Sequence, residues 1–197
     1  MKYLKMLGLA AVAATALMAF AGTASATTIS VNGVATNASV ALSASIPSGG
    51  SAILKDTNNL TVDTCKESTV KGSTEKDTSG DYTGPSVTGT LAKTDLTFNG
   101  CSHKTSVIAA GKLHITWTAG TNGTVSSSGA EVTVESTIFG ASCIAKTGTG
   151  TVIGTYTGVK SGNGSMDING VIPMGLCGDA NWTGTYTMTT ANIGVEN

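Results

Sequence analysis

Apolar and polar side chains alternate one by one along most of this chain. In 112–118, Leu113, Ile115 and Trp117 fall on one phase and His114 and Thr116 on the other; in 130–138, Val132 and Val134 oppose Glu131, Thr133 and Glu135. Successive side chains of a strand point to opposite faces, so a period of two predicts strands with one face on a core and one in water. The pattern predicts strands at 28–31, 39–46, 52–55, 60–65, 69–73, 86–91, 95–99, 106–109, 112–118, 123–127, 130–138, 151–157, 165–172 and 181–189. Turns are supplied by Pro47-Ser48-Gly49-Gly50, Thr121-Asn122-Gly123, Ser127-Ser128-Gly129 and Ser161-Gly162-Asn163-Gly164. Many short strands with regularly spaced turns predict an all-β fold, an antiparallel β-sandwich or jelly-roll.

The first 26 residues read differently. Lys2 and Lys5 flank the start of an uncharged apolar run from Met6 to Phe20, and Ala24-Ser25-Ala26 closes the segment. That is the layout of a secretory signal peptide, with cleavage expected after Ala26. The run is shorter than the roughly 20 residues that a permanent membrane helix needs. No cysteine stands at the cleavage point to accept a lipid, and the C-terminal residues offer no second anchor. Residues 1–26 are therefore expected to be removed and 27–197 to form a single domain, secreted or at the cell surface, or periplasmic in a host with an outer membrane.

Export changes the reading of Cys65, Cys101, Cys143 and Cys177: four cysteines in an oxidising compartment predict two disulfides, with three pairings open. Parity selects among them. In 60–65 and again in 96–101 the apolar residues are even-numbered and the closing cysteine is odd. If those strands are neighbours, Cys65 and Cys101 point to one sheet face, opposite the core residues, and can bridge. Cys143 and Cys177 then pair by elimination. No C-x-x-C occurs, and neither a metal nor a cofactor is expected.

Charge narrows the partners. All eleven basic residues are lysines; without Lys2 and Lys5, nine face twelve acids, a net charge of −3. A chain with no arginine and no basic stripe is not expected to bind nucleic acid. The search for an active site returns little. His103 and His114 are the two histidines and no G-x-S-x-G is present, so a hydrolase would require His114 beside a carboxylate and a serine in a cleft. Gly148-Thr149-Gly150 lacks the following helix that makes a phosphate loop. Asp167-Ile168-Asn169-Gly170 lacks the further carboxylates of a calcium loop and reads as a turn, while Asp77 and Asp81 read as solvated acids in a polar, mobile excursion at 73–85. Five Asn-x-Ser/Thr sequons in so hydroxyl-rich a chain carry no assignment. Trp117 and Trp182 read as core anchors, and the repeated Gly-Thr-Tyr-Thr at 154–157 and 184–187 as two equivalent strands whose tyrosine hydroxyls stay wet.

Several segments together resemble a group of uncharacterised secreted proteins of actinobacterial type. They are the leader, Ser68-Thr69-Val70-Lys71-Gly72, Leu96-Thr97-Phe98-Asn99-Gly100-Cys101, Ser127-Ser128-Gly129-Ala130-Glu131-Val132-Thr133-Val134, and Cys177-Gly178 followed by Trp182-Thr183-Gly184-Thr185-Tyr186-Thr187. More distantly, the order of Thr97-Phe98-Asn99-Gly100-Cys101, the isolated Cys143, Gly154-Thr155-Tyr156-Thr157 and Cys177-Gly178-Asp179 followed by Gly184-Thr185-Tyr186-Thr187 is similar to secreted activators of alkane oxidation. The resemblance implies an extracellular accessory role with hydrophobic compounds or surfaces, and no functional residue comes with it. The expectation is a noncatalytic protein that binds a surface, a polymer or a hydrophobic compound, with self-association possible through long Ser/Thr-rich edges. The alternatives are a soluble carrier of a small apolar ligand and, last, a hydrolase of unfamiliar design. A carrier requires a closed barrel with a cavity of some 300 Å³ or more, whereas a sandwich fills its interior with side chains.

Overall fold

The computed structural model describes residues 26–136 and 140–197. The expected leader lies outside the described residues except for Ala26, as does the end of the strand expected at 130–138. Thr27, where the mature chain is expected to start, is buried: its N–H donates to Gly84 O at 2.6 Å and its hydroxyl accepts from Trp117 N–H at 3.0 Å.

The chain is all-β and carries both expected disulfides, Cys65–Cys101 and Cys143–Cys177. In chain order the strands are β1 (Thr28–Val31), β2 (Val34–Ala35), β3 (Ala41–Ser45), β4 (Ala52–Asp56), β5 (Thr61–Glu75), β6 (Val87–Thr90), β7 (Leu96–Cys101) and β8 (Lys104–Ala109). They continue with β9 (Lys112–Ala119), β10 (Asn122–Ser128), β11 (Glu131–Ser136), β12 (Ala141–Lys146), β13 (Thr151–Thr157), β14 (Ser165–Pro173), β15 (Asp179–Met188) and β16 (Ile193–Glu196). Among the described residues, no helix is long and apolar enough to cross a membrane.

The strands do not divide into the two facing sheets that were expected. β14, β13, β10, β9, β6, β5, β3 and β15 are hydrogen-bonded neighbours in that order, and β15 returns to β14 from Ser165↔Thr187 to Pro173↔Asp179, closing an eight-stranded barrel. Alternation of period two is the same in a barrel and a sandwich. What separates them is this last pairing, which the pattern along single strands does not encode. β4 runs in line with β3 between β5 and β15, after the Pro47-Ser48-Gly49-Gly50 turn.

Two three-stranded sheets cover the barrel ends. β16-β1-β2 lies where β9, β13 and β15 finish, with Val195 N–H donating to Thr121 O at 3.2 Å and Val159 N–H to Ile193 O at 2.9 Å. β12-β11-β8 covers the opposite end, where β9, β13 and β15 begin. The interior is filled from alternate positions, shown most cleanly by Met166, Ile168 and Ile172 of β14. Leu113, Ile115 and Trp117 pack against this core as the phase of β9 predicts. Gly154 allows β13 and β14 to touch, because a Cβ there would lie 2.1 Å from Asp167 O.

Several sequence expectations change. Asp167-Ile168-Asn169-Gly170, read as a turn, lies inside β14, and β12 and β16 form where no strand was expected. The strands expected at 60–65 and 69–73 are one long β5 that runs on to Glu75, which shortens the polar excursion expected at 73–85. What remains of it is held by Asp77, whose Oδ1 accepts from Ser79 N–H at 2.8 Å and Asp81 N–H at 3.0 Å; Asp56 closes the β4–β5 hairpin in the same way. The tyrosines of the repeat are buried, hydroxyl included. Tyr156 donates to Ile193 O at 2.7 Å and Tyr186 to Ser68 Oγ at 2.9 Å, and burial pushes both phenol pKa values up.

Candidate functional site: an apolar cavity beneath a stapled lid

The lid sheet does not fill the barrel end it covers. A cavity of about 80 Å³ lies between Leu113, Ile153 and Met166 of the barrel wall and Val132, Val134 and Ala145 of the lid. Its wall is apolar apart from Asp63, Thr105, Ser127, Thr147 and the indole of Trp182. A second space of about 50 Å³ lies farther along the axis and shares Val70, Leu91, Leu113 and Met166 with the first. Val132 and Val134 face inward as their phase predicts, and Glu131 and Glu135 on the other phase pair with Lys146 and Lys104.

Both disulfides attach this lid. Cys101 ends β7, three residues before β8, and bridges to the directly opposite Cys65 of β5. Cys143 of β12 bridges to Cys177 in the 3-10 turn Gly175–Cys177, an element with no strand pairing to β12. Thus one edge strand is tied through its entry and the other through its middle.

The pairing of Cys65 with Cys101 follows the parity argument, but their expected orientation away from the core does not hold. Cys65 is buried in the barrel core. Val62 is an extra residue opposite the Leu54/Lys55 step of β4, so the alternation slips there: Val62 faces a second cluster with Val134, Cys143, Met174 and Ala180, while Asp63 and Cys65 turn inward. On the partner strand Gly100, at φ +59°, makes the matching turn before Cys101.

Asp63 is the residue that sequence reasoning missed. It is 3% exposed, and its Oδ1 accepts from Thr64 N–H at 2.8 Å, Ser102 hydroxyl at 2.8 Å and His103 N–H at 3.0 Å, while Oδ2 accepts from the Thr105 hydroxyl. His103 Nδ1 is 3.8 Å from the same carboxylate. The β7–β8 corner is therefore bolted to β5 beside the disulfide. A buried carboxylate is stable only when its oxygens are met by donors, and these donors meet them. Its odd number, shared with Cys65, was the available signal, and it pointed inward only once the slip at Val62 was known.

The cluster of Asp63 with the sulfurs of Cys65 and Cys101 has the span of a metal site. The two sulfurs are bonded to each other and have no thiolate to offer. His114 sits on the outer barrel wall, where its Nδ1 is 3.0 Å from Thr88 Oγ1. Desolvation holds its pKa below the ordinary value, aided by Lys112 and opposed by Glu75. The serine and carboxylate that a hydrolase would need are not hydrogen-bonded to it among the described residues. Trp117 donates through Nε1 to Gly120 O at 2.9 Å, and Trp182 stacks edge-on against Phe98 and Tyr186 with ring centroids 5.9 and 6.2 Å apart.

Comparison with known proteins finds no matching family model, no matching curated protein and no matching solved structure.

Proposed function

We propose that this is an exported, noncatalytic binding protein that holds a small hydrophobic molecule inside its barrel. The observation that carries this reading is the apolar cavity of about 80 Å³ between the barrel and the lid. Its size limits the ligand. At about 80 Å³ it falls short of the roughly 300 Å³ expected above of a carrier, the size that drug-sized molecules need, and of the cavity of about 150 Å³ that accepts benzene. The ligand here is smaller, with only a few heavy atoms, or is a single narrow chain. A chain would reach the second space by displacing Met166, an unbranched side chain that repacks readily. Two disulfides suit an oxidising compartment outside the cytoplasm.

A second reading, attachment to a hydrophobic surface, draws support from Val152 and Val171, each 59% exposed on the barrel wall, and from Leu176 on the 3-10 turn. The two are separated by offering the purified protein short alkanes, cell-wall polymers and whole cells, and measuring what remains bound after washing. The first reading expects stoichiometric retention of a short alkane and its loss when Val132→Phe fills the cavity. Retention of polymer or cells, with no small molecule bound, would replace it with the second; retention of nothing would contradict both.

A further inference from the structure

The lid joins the barrel as a flap with a hinge side and a latch side. Three of its four chain crossings lie together, at Ala110-Gly111, at Gly129-Ala130 and at Thr147. Gly129 N–H donates to Thr147 O at 3.1 Å and Thr147 N–H to Ala130 O at 2.9 Å, and a Cβ on Gly111 would lie 2.4 Å from Ala130 N. On this side Glu131 is paired with Ala109 and Lys146. The opposite side, where Glu135 is paired with Lys104 and Ser142, is fastened by the hydrogen bonds of Asp63 and by the two disulfides. The edge strand β12 depends most on sulfur. Among the described residues no hydrogen bond joins 141–146 to the Gly175–Cys177 turn, whose own bonds run from Met174 N–H to Gly178 O at 2.7 Å and from Cys177 N–H to Met174 O at 3.2 Å. Besides the bridge, this edge is held down by apolar packing of Cys143 and Ala145 with Val62, Met174 and Ala180.

We propose that Cys143–Cys177 is a redox latch: reduction by a dithiol frees β12, and the β11–β12 hairpin swings about its hinge side to open the cavity. Cys177 is half-buried while Cys143 is 1% exposed, so the first thiolate of the dithiol attacks Cys177 Sγ and expels Cys143 as a thiolate, which takes up a proton. The second thiolate then attacks the mixed disulfide and releases Cys177 as a thiol, leaving the reductant as its cyclic disulfide; two electrons and two protons have passed to the protein. Cys65–Cys101 resists the same attack. Expelling Cys65 would put a thiolate in the barrel core with Asp63 Oδ2 only 3.6 Å away, and like charges repel strongly where water is excluded. The β5–β7 ladder also holds Cys65 and Cys101 opposite each other, so a reduced pair closes again rapidly. One bridge therefore releases while the other keeps β8 in place. The use of this opening to admit a ligand rests on the barrel-interior reading above; the order of reduction does not.

The test is a timed reduction of the purified protein with dithiothreitol, in which free thiols are trapped with iodoacetamide and located by mass spectrometry. Cys143 and Cys177 are expected to be labelled about tenfold sooner than Cys65 and Cys101, or earlier still. In protein reduced at that first bridge, hydrogen exchange should accelerate most in β12 and β11 and stay slow in β9, β10 and β13. NMR should show n-butane entering the cavity about tenfold faster than in the oxidised protein, the change expected when a local opening replaces a wider one, and reoxidation should restore the slow entry. Labelling of all four cysteines together, earlier labelling of Cys65, or loss of protection throughout the barrel wall would make the bridge a staple of the whole fold and overturn the inference. Equal rates of n-butane entry before and after reduction would overturn it too. If n-butane binds neither form, the barrel-interior reading is lost, and the labelling order with the exchange pattern still decides the latch.

Discussion

The two ends of the barrel are closed by sheets of three strands each and by different physics. At the end covered by β16-β1-β2, Ile29, Ile193 and Val195 are buried in the main core, and hydrogen bonds from Tyr156 and Val195 tie the sheet to the wall without a covalent link. At the other end the lid stands off from the barrel, leaves a cavity, and is attached by both disulfides and by the Asp63 clasp. Exposed apolar side chains follow the same division: Leu60, Ile108, Ile144, Val152, Val171 and Leu176 lie toward the lid end, and Val34 toward the other, among the described residues. Where packing is dense, burial holds the end shut. Where packing gives way to a cavity, sulfur takes over that task.

The largest effect should come from removing the staple that has no strand pairing behind it. Cys143→Ser with Cys177→Ser frees a loop of 34 residues, and on chain-entropy grounds about 3–4 kcal/mol of stability should be lost. Hydrogen exchange should accelerate in β8, β11 and β12 and stay slow in β1 and β16. Equal loss of protection at both ends would erase the distinction between them.

Enlarging one side chain at each end should give opposite signs. Val195→Leu adds volume to a fully buried position and should cost about 1–3 kcal/mol by thermal or denaturant unfolding. Ala145→Leu points into the cavity and should be neutral or stabilising, while weakening ligand retention. Tyr156→Phe should cost less, about 1 kcal/mol, because Ile193 O still accepts from Val159 N–H after the hydroxyl is gone.

The smallest effect is that of pH, and it acts on the wall between the ends. His114 has a folded pKa below 6.5, so the unfolded chain binds its proton more readily, and the stability present above pH 6.5 is lost as pH falls through the window beneath it. Glu75 is held below 4.5 by hydrogen bonds from Lys112 and Thr90, so its contribution is lost at still lower pH. Unfolding midpoints should therefore drop modestly from neutral pH to pH 5. Replacing His114 by Gln should flatten that first step.

Most strand positions, the all-β class and the inward phases of β9 and β11 could be read from single-strand alternation, because one buried face leaves a direct imprint on sequence; β2, β12 and β16 were not picked out by it. The cysteine pairing was legible for the same reason. Closure of the barrel was not, since β14–β15 pairing is invisible to a period of two. Nor was the face of Cys65, because one extra residue at Val62 reverses the phase through Asp63 and Cys65 before Ser68 and Val70 resume it. The cavity was illegible for a further reason: Val132, Val134 and Ala145 look the same in sequence whether they touch the opposite wall or stand away from it.

Xenon tests the central claim most directly, because it enters apolar cavities without needing a hydrogen bond. Under xenon pressure the methyl NMR signals of Val134, Ile153, Met166 and Ile168 should shift in a saturable manner, with those of Ile29 and Val195 unmoved. Shifts that are absent at the lid end, or that are uniform over both ends, would contradict an apolar site beneath the stapled sheet.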